Sequence, residues 1–243
     1  MSAQLAPDEL LEHFQAFELL DDDASMRGFK RVVRCTVRDW TKLYESAALG
    51  FEMPFDVRFA KALVKTLSHL VGSDPDMVFG YAEHGEFSLL LGGAEDSGNG
   101  TGRGLLSRVA SNAGGKLSLL LGDLALFDVR LYQFPSPELA RIYFQWRQRC
   151  QEQLSLDRHV WHALAKNSGD ESTAHTIVET LGNDEKHEIL DQREIVFDDI
   201  PIWQRRGAGV YWQAGLDDED PSLMVDTTLP VGDEYGEYLK MFL

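Results

Sequence analysis

The order of β-type and helical segments between residues 29 and 134 restricts the fold more than any other feature of the chain. In residues 29–37, apolar side chains alternate with basic or polar ones, which predicts a strand with one buried face. In residues 54–70, apolar side chains recur at every third or fourth position, which predicts an amphipathic helix. The same reasoning predicts strands at 77–81, 86–91 and 127–134 and a helix at 105–121.

The resulting order is strand, helix, strand, strand, helix, strand, which is the order of the split βαββαβ motif. We therefore predict an α/β (α+β) fold in which helices pack on an antiparallel sheet. Polymerase and cyclase palm domains are built on this topology, but a shared fold does not establish a shared function.

The segments before and after this motif are predicted to be mainly helical. Residues 8–20 form an amphipathic pattern that predicts a helix, and the acidic residues 21–23 then predict a solvated turn. A long helix is predicted from Ser136 to Lys166, because a serine cap is followed by proline at the first helical position. Further predicted elements are helices at 172–181 and 184–190 and strands at 210–213 and 223–227. We predict one domain over residues 1–243, with a helical extension from about residue 136.

The glycine-rich segment at residues 92–104 has two interpretations. Such a segment can bind phosphate through its backbone N–H groups, but a P-loop requires lysine and then serine or threonine after its last glycine. Here Leu105 and Leu106 follow instead. We predict a flexible loop, and a phosphate-binding loop is the less favoured alternative.

Composition makes some classes of protein less probable than others. The chain of 243 residues carries 23 basic and 40 acidic residues, a net charge of −17, which disfavours nucleic acid as a partner. Cys35 and Cys150 lie far apart in sequence, as expected of thiols in a reducing compartment. The first twelve residues lack the basic and apolar pattern of a signal peptide, and no long apolar run predicts a membrane span. These features predict a cytoplasmic protein.

A set of short motifs resembles the tRNA-His guanylyltransferase family, the 3′-to-5′ polymerases, and occurs in the order that this family has. The motifs are YFQWRQ at 143–148, ALAK at 163–166, FDVR at 127–130, FEMPFD at 51–56, EKHEIL at 185–190, IPIWQRRG at 200–207, LP at 229–230 and EY at 234–235. A single motif of this kind is weak evidence, whereas the ordered set supports the resemblance over residues 29–240.

The resemblance implies nucleotide addition at the 5′ end of a tRNA or similar RNA, with an NTP and Mg²⁺ as cofactors and a tetrameric or dimeric homo-oligomer. Two Mg²⁺ ions stabilise the negative charge that develops on phosphate oxygens in such a transfer, and carboxylates are their usual protein ligands. In the family, these carboxylates come from a turn after the first strand and from the strand hairpin.

This chain departs from the family at those positions. Thr36 and Gly85 stand where the resemblance places the two metal-binding aspartates, and Met53 stands in place of a lysine. A basic residue expected before Leu105 is replaced by Gly104, with Arg103 beside it. The tRNA-side segment at 152–155 also differs, reading EQLS. The loss of both carboxylates predicts that the transfer reaction is lost or heavily altered.

Other residues remain candidates for the same roles. Glu86 survives from the hairpin motif, and Glu83 and Asp39 lie near enough in sequence to form a relocated metal site with it. Arg38, Lys42 and Arg103 are the candidates for binding the phosphates of a nucleotide. His84, His159, His162, His175 and His187 form no metal or catalytic motif and are expected on the surface or on helices.

Three hypotheses about function therefore remain open. The favoured one is a divergent family member that has lost metal-dependent transfer and acts by binding a nucleotide, an RNA or a protein. The second is an active Mg²⁺-dependent nucleotidyltransferase with relocated carboxylates, acting on tRNA or on a smaller substrate. The third is a structural or interaction protein without a nucleotide site.

Overall fold

The computed structural model describes residues 7–18, 28–46, 48–92, 102–168, 171–215 and 220–243. Its strands are β1 (Lys30–Val37), β2 (Met77–Glu83), β3 (Glu86–Leu91), β4 (Phe127–Phe134), β5 (Ala208–Gln213) and β6 (Ser222–Asp226). Its α-helices are α1 (Pro7–Gln15), α2 (Trp40–Tyr44), α3 (Val57–Ser73), α4 (Gly102–Leu121), α5 (Pro137–Ser168), α6 (Glu171–Thr180), α7 (Asn183–Asp191), α8 (Ile202–Arg206) and α9 (Gly232–Leu239). None of the helices among these residues is long and apolar enough to cross a bilayer.

The strands form one antiparallel sheet in the order β4-β1-β3-β2-β5-β6. The first four strands have the connections predicted for the split βαββαβ motif, so the predicted fold class is confirmed. After residue 136, the predicted strands 210–213 and 223–227 are present as β5 and β6, and they continue the sheet beyond β2.

The sheet separates two cores, because successive side chains of a strand point to opposite faces. On one face, Val33, Cys35 and Val37 pack in a cluster that includes residues of α3 and α4. On the other face, Val32 packs in a cluster that includes residues of α1, α5 and α9. A third and smaller cluster joins the second half of α5 to α7 through Leu156, Val160 and Leu190. The face that carries α5 also carries Arg34 and Thr36 of β1, and it holds the candidate site.

Several predicted element boundaries were wrong. Helix α1 ends at Gln15, and the chain then forms a bridge from Glu18 to Tyr132 of β4, so the predicted helix 8–20 is too long. Helix α3 begins at Val57 because the Asp56 side chain accepts a hydrogen bond from the N–H of Arg58 and caps the helix. Helix α4 begins at Gly102, so the end of the predicted glycine-rich loop is helical. Residues 93–101 of that segment, and the predicted turn 21–23, lie outside the described residues.

Candidate active site at the edge of the sheet

The two positions where the resemblance places metal-binding aspartates lie at the end of β1 and in the β2–β3 turn. Thr36 pairs with Glu86 of β3 on one side and with Asp128 of β4 on the other, and its side chain acts to lower the pKa of Glu86. Gly85 lies in the turn with φ at 73°, and a Cβ atom there would lie 3.1 Å from Cγ of Trp40. A side chain at position 85 would therefore be strained in the backbone and would crowd the Trp40 ring.

Four charged side chains, which we call the ionic cluster, lie beside these positions: Arg34, Glu83, Glu86 and Arg147. Arg147 of α5 donates from Nε to Oε1 of Glu83 at 2.6 Å and from Nη2 to Oε2 of Glu86 at 2.8 Å, and Nη2 also contacts Glu83. Arg34 donates two hydrogen bonds to the two oxygens of Glu86, at 2.7 and 2.9 Å. The guanidinium of Arg147 thus lies between two carboxylates, where a metal ion would be bound in a two-carboxylate site.

Burial and neighbouring charges shift the pKa values of the two carboxylates of the ionic cluster in opposite directions. Burial raises the pKa of Glu83 to about 7, although Arg147 acts to lower it. Burial also acts to raise the pKa of Glu86, but Arg147 and Arg34 outweigh this effect and hold the pKa below its usual value. Since two guanidinium groups balance at most two carboxylates, the cluster has no net negative charge that would attract Mg²⁺.

The third predicted metal ligand lies apart from this arrangement. Asp39 is exposed at the start of α2, where its backbone is left-handed with φ at 51°. Within the described ranges, no group of three or more His, Cys, Asp or Glu residues is arranged to hold a metal ion. The residues present at this edge therefore do not fit a two-magnesium centre, and we derive no catalytic step through such a centre.

The three predicted phosphate-binding residues all lie at the surface. Arg38 follows β1 and donates from Nε to Oδ1 of Asp128 at 3.1 Å, and about half of each side chain is exposed. Hydrogen bonding from Arg38 lowers the pKa of Asp128. Lys42 is exposed on α2, and Arg103 is exposed in the first turn of α4. Exposed cations of this kind are accessible to an anion from solvent.

A cluster of rings fills the space between α2, the start of α3 and the β2–β3 turn. This aromatic cluster consists of Trp40, Tyr44, Phe51, Phe55, Phe59 and His84. Arg158 of α5 lies over three of the rings, at 4.9 Å from Trp40, 5.3 Å from Tyr44 and 5.6 Å from Phe55. Its Nη2 lies 3.7 Å from the sulfur of Met53, so a cation from another helix reaches the position where the resemblance expects a lysine.

His84 is the residue that the sequence interpretation placed wrongly. It was expected on the surface or on a helix, but it lies in the β2–β3 turn with its ring 4.2 Å from that of Trp40. Its Nε2 is buried without a hydrogen-bond partner among the described residues, and burial keeps its pKa well below the usual value. The histidine is therefore neutral. The repeated aromatic residues at 40, 44, 51, 55 and 59 were the sequence signal for this cluster.

Sequence reasoning also missed the roles of Arg34 and Arg147. Arg147 lies within the YFQWRQ motif that supports the family resemblance, but its spacing gives no sign that it binds the hairpin carboxylates 61 and 64 positions earlier. Arg34 precedes Thr36 by two positions, so strand alternation places both on one face of the sheet.

The fold and the position of this site at the palm edge define a polymerase-like palm protein, and comparisons with known proteins identify its family. The profile of the tRNAHis guanylyltransferase family matches residues 11–135. This chain belongs to that family. A search of curated protein sequences finds no match.

Solved structures of the family share the fold. A bacterial tRNA(His) guanylyltransferase-like protein in complex with GTP is 20% identical, with a TM-score of 0.73 and coverage of 97% of both chains. The ATP complex of a bacterial protein of this type gives 20% identity and a TM-score of 0.75, covering 98% of this chain and 99% of the other. The enzyme from Saccharomyces cerevisiae gives 19% identity and a TM-score of 0.71, covering 79% and 89%.

Proposed function

We propose that this chain is a member of the family that has lost metal-dependent transfer and acts by binding a nucleotide. The observation that carries this proposal is the position of Arg147, whose guanidinium lies between Glu83 and Glu86. A guanidinium cannot offer open coordination positions to a triphosphate and a nucleophile, as two Mg²⁺ ions do. Thr36 and Gly85 supply no carboxylate in compensation.

Nucleotide binding is supported by the surface beside the ionic cluster. Arg38 and Lys42 are four positions apart around the start of α2, and both are exposed. The ion pair of Arg38 with Asp128 is exposed and is worth less than about 1 kcal/mol, so a triphosphate competes readily for Arg38. The bacterial relatives in complex with GTP and with ATP have the same fold, which supports a nucleotide as the ligand. We include Arg103 in the proposal as a third phosphate contact.

One observation favours the second candidate function, an active Mg²⁺-dependent nucleotidyltransferase. Glu83 and Glu86 pair directly across the turn, and both contact the same nitrogen of Arg147. If Arg147 moved aside on substrate binding, the two carboxylates would be placed to share a cation. This alternative requires the buried ion pairs to break, which costs several kcal/mol for each uncompensated charge.

Calorimetric titration with GTP and with ATP, each with Mg²⁺ and with EDTA, separates these candidates. We expect binding that persists in EDTA and that weakens about tenfold in the Arg38→Gln/Lys42→Gln double variant, since two charge-assisted contacts are lost. The Lys116→Gln variant, which removes a lysine of α4, serves as the matched control.

Two outcomes would contradict the proposal. Binding that occurs only with Mg²⁺ and disappears in Glu86→Gln would support the active enzyme and justify assays of nucleotide transfer to tRNA. The absence of heat with either nucleotide, in protein shown by circular dichroism to be folded, would support a protein without a nucleotide site.

A further inference from the structure

A second candidate binding site lies beside α3 and adjoins the ionic cluster at Glu83. A cavity of about 590 Å³ opens between α3, the β2–β3 hairpin, α8 and strands β5 and β6, and we call it the α3 cavity. The surface that its lining exposes to the cavity is mainly apolar and includes Phe55, Val64, Trp203 and Val225. Pockets that bind small molecules have volumes of roughly 300–1,000 Å³ and predominantly apolar walls.

The cavity exists because small side chains line it and because its mouth is uncovered. Ala60, Ala82 and Ala208 contribute only a methyl group each. At the mouth, Val57 of α3 is 48% exposed and Val225 of β6 is 44% exposed. Apolar side chains that face both a cavity and solvent are characteristic of ligand sites rather than of a closed core.

The charges around the cavity determine which ligand it favours. Lys61 and Lys65 line it from α3, one helical turn apart, and both are exposed. Neither lysine forms an ion pair within the part of the chain that the structure describes. The two carboxylates that also line it, Asp56 and Glu83, are bound by Arg58 and Arg147. The free charge at the cavity is therefore positive, although the chain as a whole carries −17.

The lining offers few unpaired polar groups to a nucleoside. The Gln151 amide is engaged on both sides, since its oxygen accepts from the N–H of His84 and its nitrogen donates to the carbonyl of Gln204. His84, whose Nε2 has no hydrogen-bond partner among the described residues, also lines the cavity. A base and a ribose carry several more polar atoms than this one group can pair, and burying the others unpaired is costly. An apolar molecular body incurs no such cost.

We propose that the α3 cavity binds a small molecule with an apolar body and one anionic group, of the type of a medium-chain fatty acid. The apolar body occupies the cavity, and Lys61 and Lys65 bind the anionic group at the mouth. This site is separate from the nucleotide site proposed above, and the failure of either proposal leaves the other standing.

Titration of the full-length protein with dodecanoate tests this inference, with dodecyltrimethylammonium as a probe of the same chain length and opposite charge. Both are used below their micelle concentrations and followed by calorimetry. We expect dodecanoate to bind with one-to-one stoichiometry and the cation to bind at least tenfold more weakly. The Lys61→Gln/Lys65→Gln variant is expected to weaken dodecanoate binding about tenfold, since each lysine contributes an exposed charge–charge contact. Lys116→Gln is expected to leave it unchanged.

Two filling variants test the location of the site. Ala60→Phe and Val225→Trp place rings at opposite walls of the cavity, and both are expected to abolish dodecanoate binding while GTP titration is unchanged. Because Val225 is partly exposed on the last strand of the sheet, its variant is the one expected to keep full stability.

Three results would overturn the inference. They are the absence of dodecanoate binding, equal binding of the cation, and binding that persists in both filling variants. A dimer of the wild-type protein that Val225→Trp converts to a monomer would also overturn it, because a second copy of the chain would then cover the cavity.

Discussion

The ionic cluster and the α3 cavity adjoin at Glu83 of β2, and they differ in how the chain fills them. In the ionic cluster, guanidinium groups from β1 and α5 bind both carboxylates, so the protein supplies its own counter-ions. In the α3 cavity, alanine side chains and exposed valines leave space, and two lysines remain without an ion pair among the described residues. At the edge where the family resemblance places metal ions, the chain's own guanidinium groups occupy the space between the carboxylates. The space for an external ligand lies instead beside α3.

The largest loss of stability is expected from a substitution in the ionic cluster. Arg147→Met leaves two buried carboxylates without their main counter-charge, and we expect it to lower the free energy of unfolding by about 3–5 kcal/mol. Urea denaturation at neutral pH measures this change. Arg130→Met is the control, because the Arg130–Glu18 pair is largely exposed on the arginine side and is worth less than about 1 kcal/mol. Similar losses in the two variants would mean that Arg147 is not the counter-ion of the cluster.

The next largest effect on stability is expected at Gly207, a glycine in the lining of the α3 cavity. Gly207 has φ at 74° and ψ at −160°, a conformation almost restricted to glycine. A Cβ atom there would collide with the carbonyl oxygen of Ala82 and lie 2.8 Å from Cε2 of Tyr81. We expect Gly207→Ala to destabilise the protein by about 1–3 kcal/mol in thermal or denaturant unfolding.

Gly115→Ala serves as the matched control for that substitution. Gly115 is helical, and a Cβ atom there meets no other atom within 4 Å. This variant is expected to be stabilised by about 0.5–1 kcal/mol, because alanine loses less conformational entropy in a helix. If both variants changed the free energy of unfolding in the same direction, the close approach of Gly207 to β2 would be contradicted.

Removal of the Asp56 side chain, which caps α3, is expected to cause an intermediate loss of stability that depends on pH. Burial acts to raise the pKa of Asp56, but hydrogen bonds from Arg58 and from the N–H of Glu52 lower it to about 2. Asp56→Ala is expected to cost about 1–2 kcal/mol at neutral pH. Since the folded pKa lies below the unfolded one, this stabilisation is present above about pH 4 and is lost as the pH falls through about 2. The difference in the free energy of unfolding between wild type and variant is expected to be smaller at pH 2 than at pH 7. A difference that does not change with pH would contradict the role of the ionised Asp56 carboxylate as the cap of α3.

The smallest effect on stability is expected at Arg38, where binding should change instead. Arg38→Gln breaks an exposed pair with Asp128 and is expected to change the free energy of unfolding by less than about 1 kcal/mol. Its affinity for GTP, measured by calorimetry, is expected to fall several-fold because a phosphate contact is lost. A large loss of stability with unchanged affinity would assign Arg38 a structural role only.

The fold was predictable where hydrophobic periodicity was regular. The alternation in β1 and the helical repeat in α3 gave the βαββαβ order, and the serine cap with proline located the start of α5. The boundaries of α1 and α4 were missed because they depend on tertiary contacts and on a glycine-rich sequence that has weak local preference.

The candidate site was less predictable because its partners are distant in sequence. Strand spacing placed Glu83 and Glu86 near one another, and the structure pairs them across the hairpin. Nothing in local spacing shows that Arg147, on a helix that begins more than 50 positions later, binds both. The burial of His84 against Trp40 likewise depends on how α2 folds back over the hairpin.

The number of divalent ions that bind together with a nucleotide shows directly whether this edge of the sheet has lost its metal site. Electron paramagnetic resonance of free Mn²⁺, used in place of Mg²⁺, measures how many ions the protein takes up in the presence of GTP. The ionic cluster predicts one Mn²⁺ for each bound GTP, carried by the nucleotide itself and unchanged in Glu86→Gln. A second Mn²⁺ for each bound GTP, lost in Glu86→Gln, would contradict the claim and show that the carboxylates of this edge still hold catalytic metal.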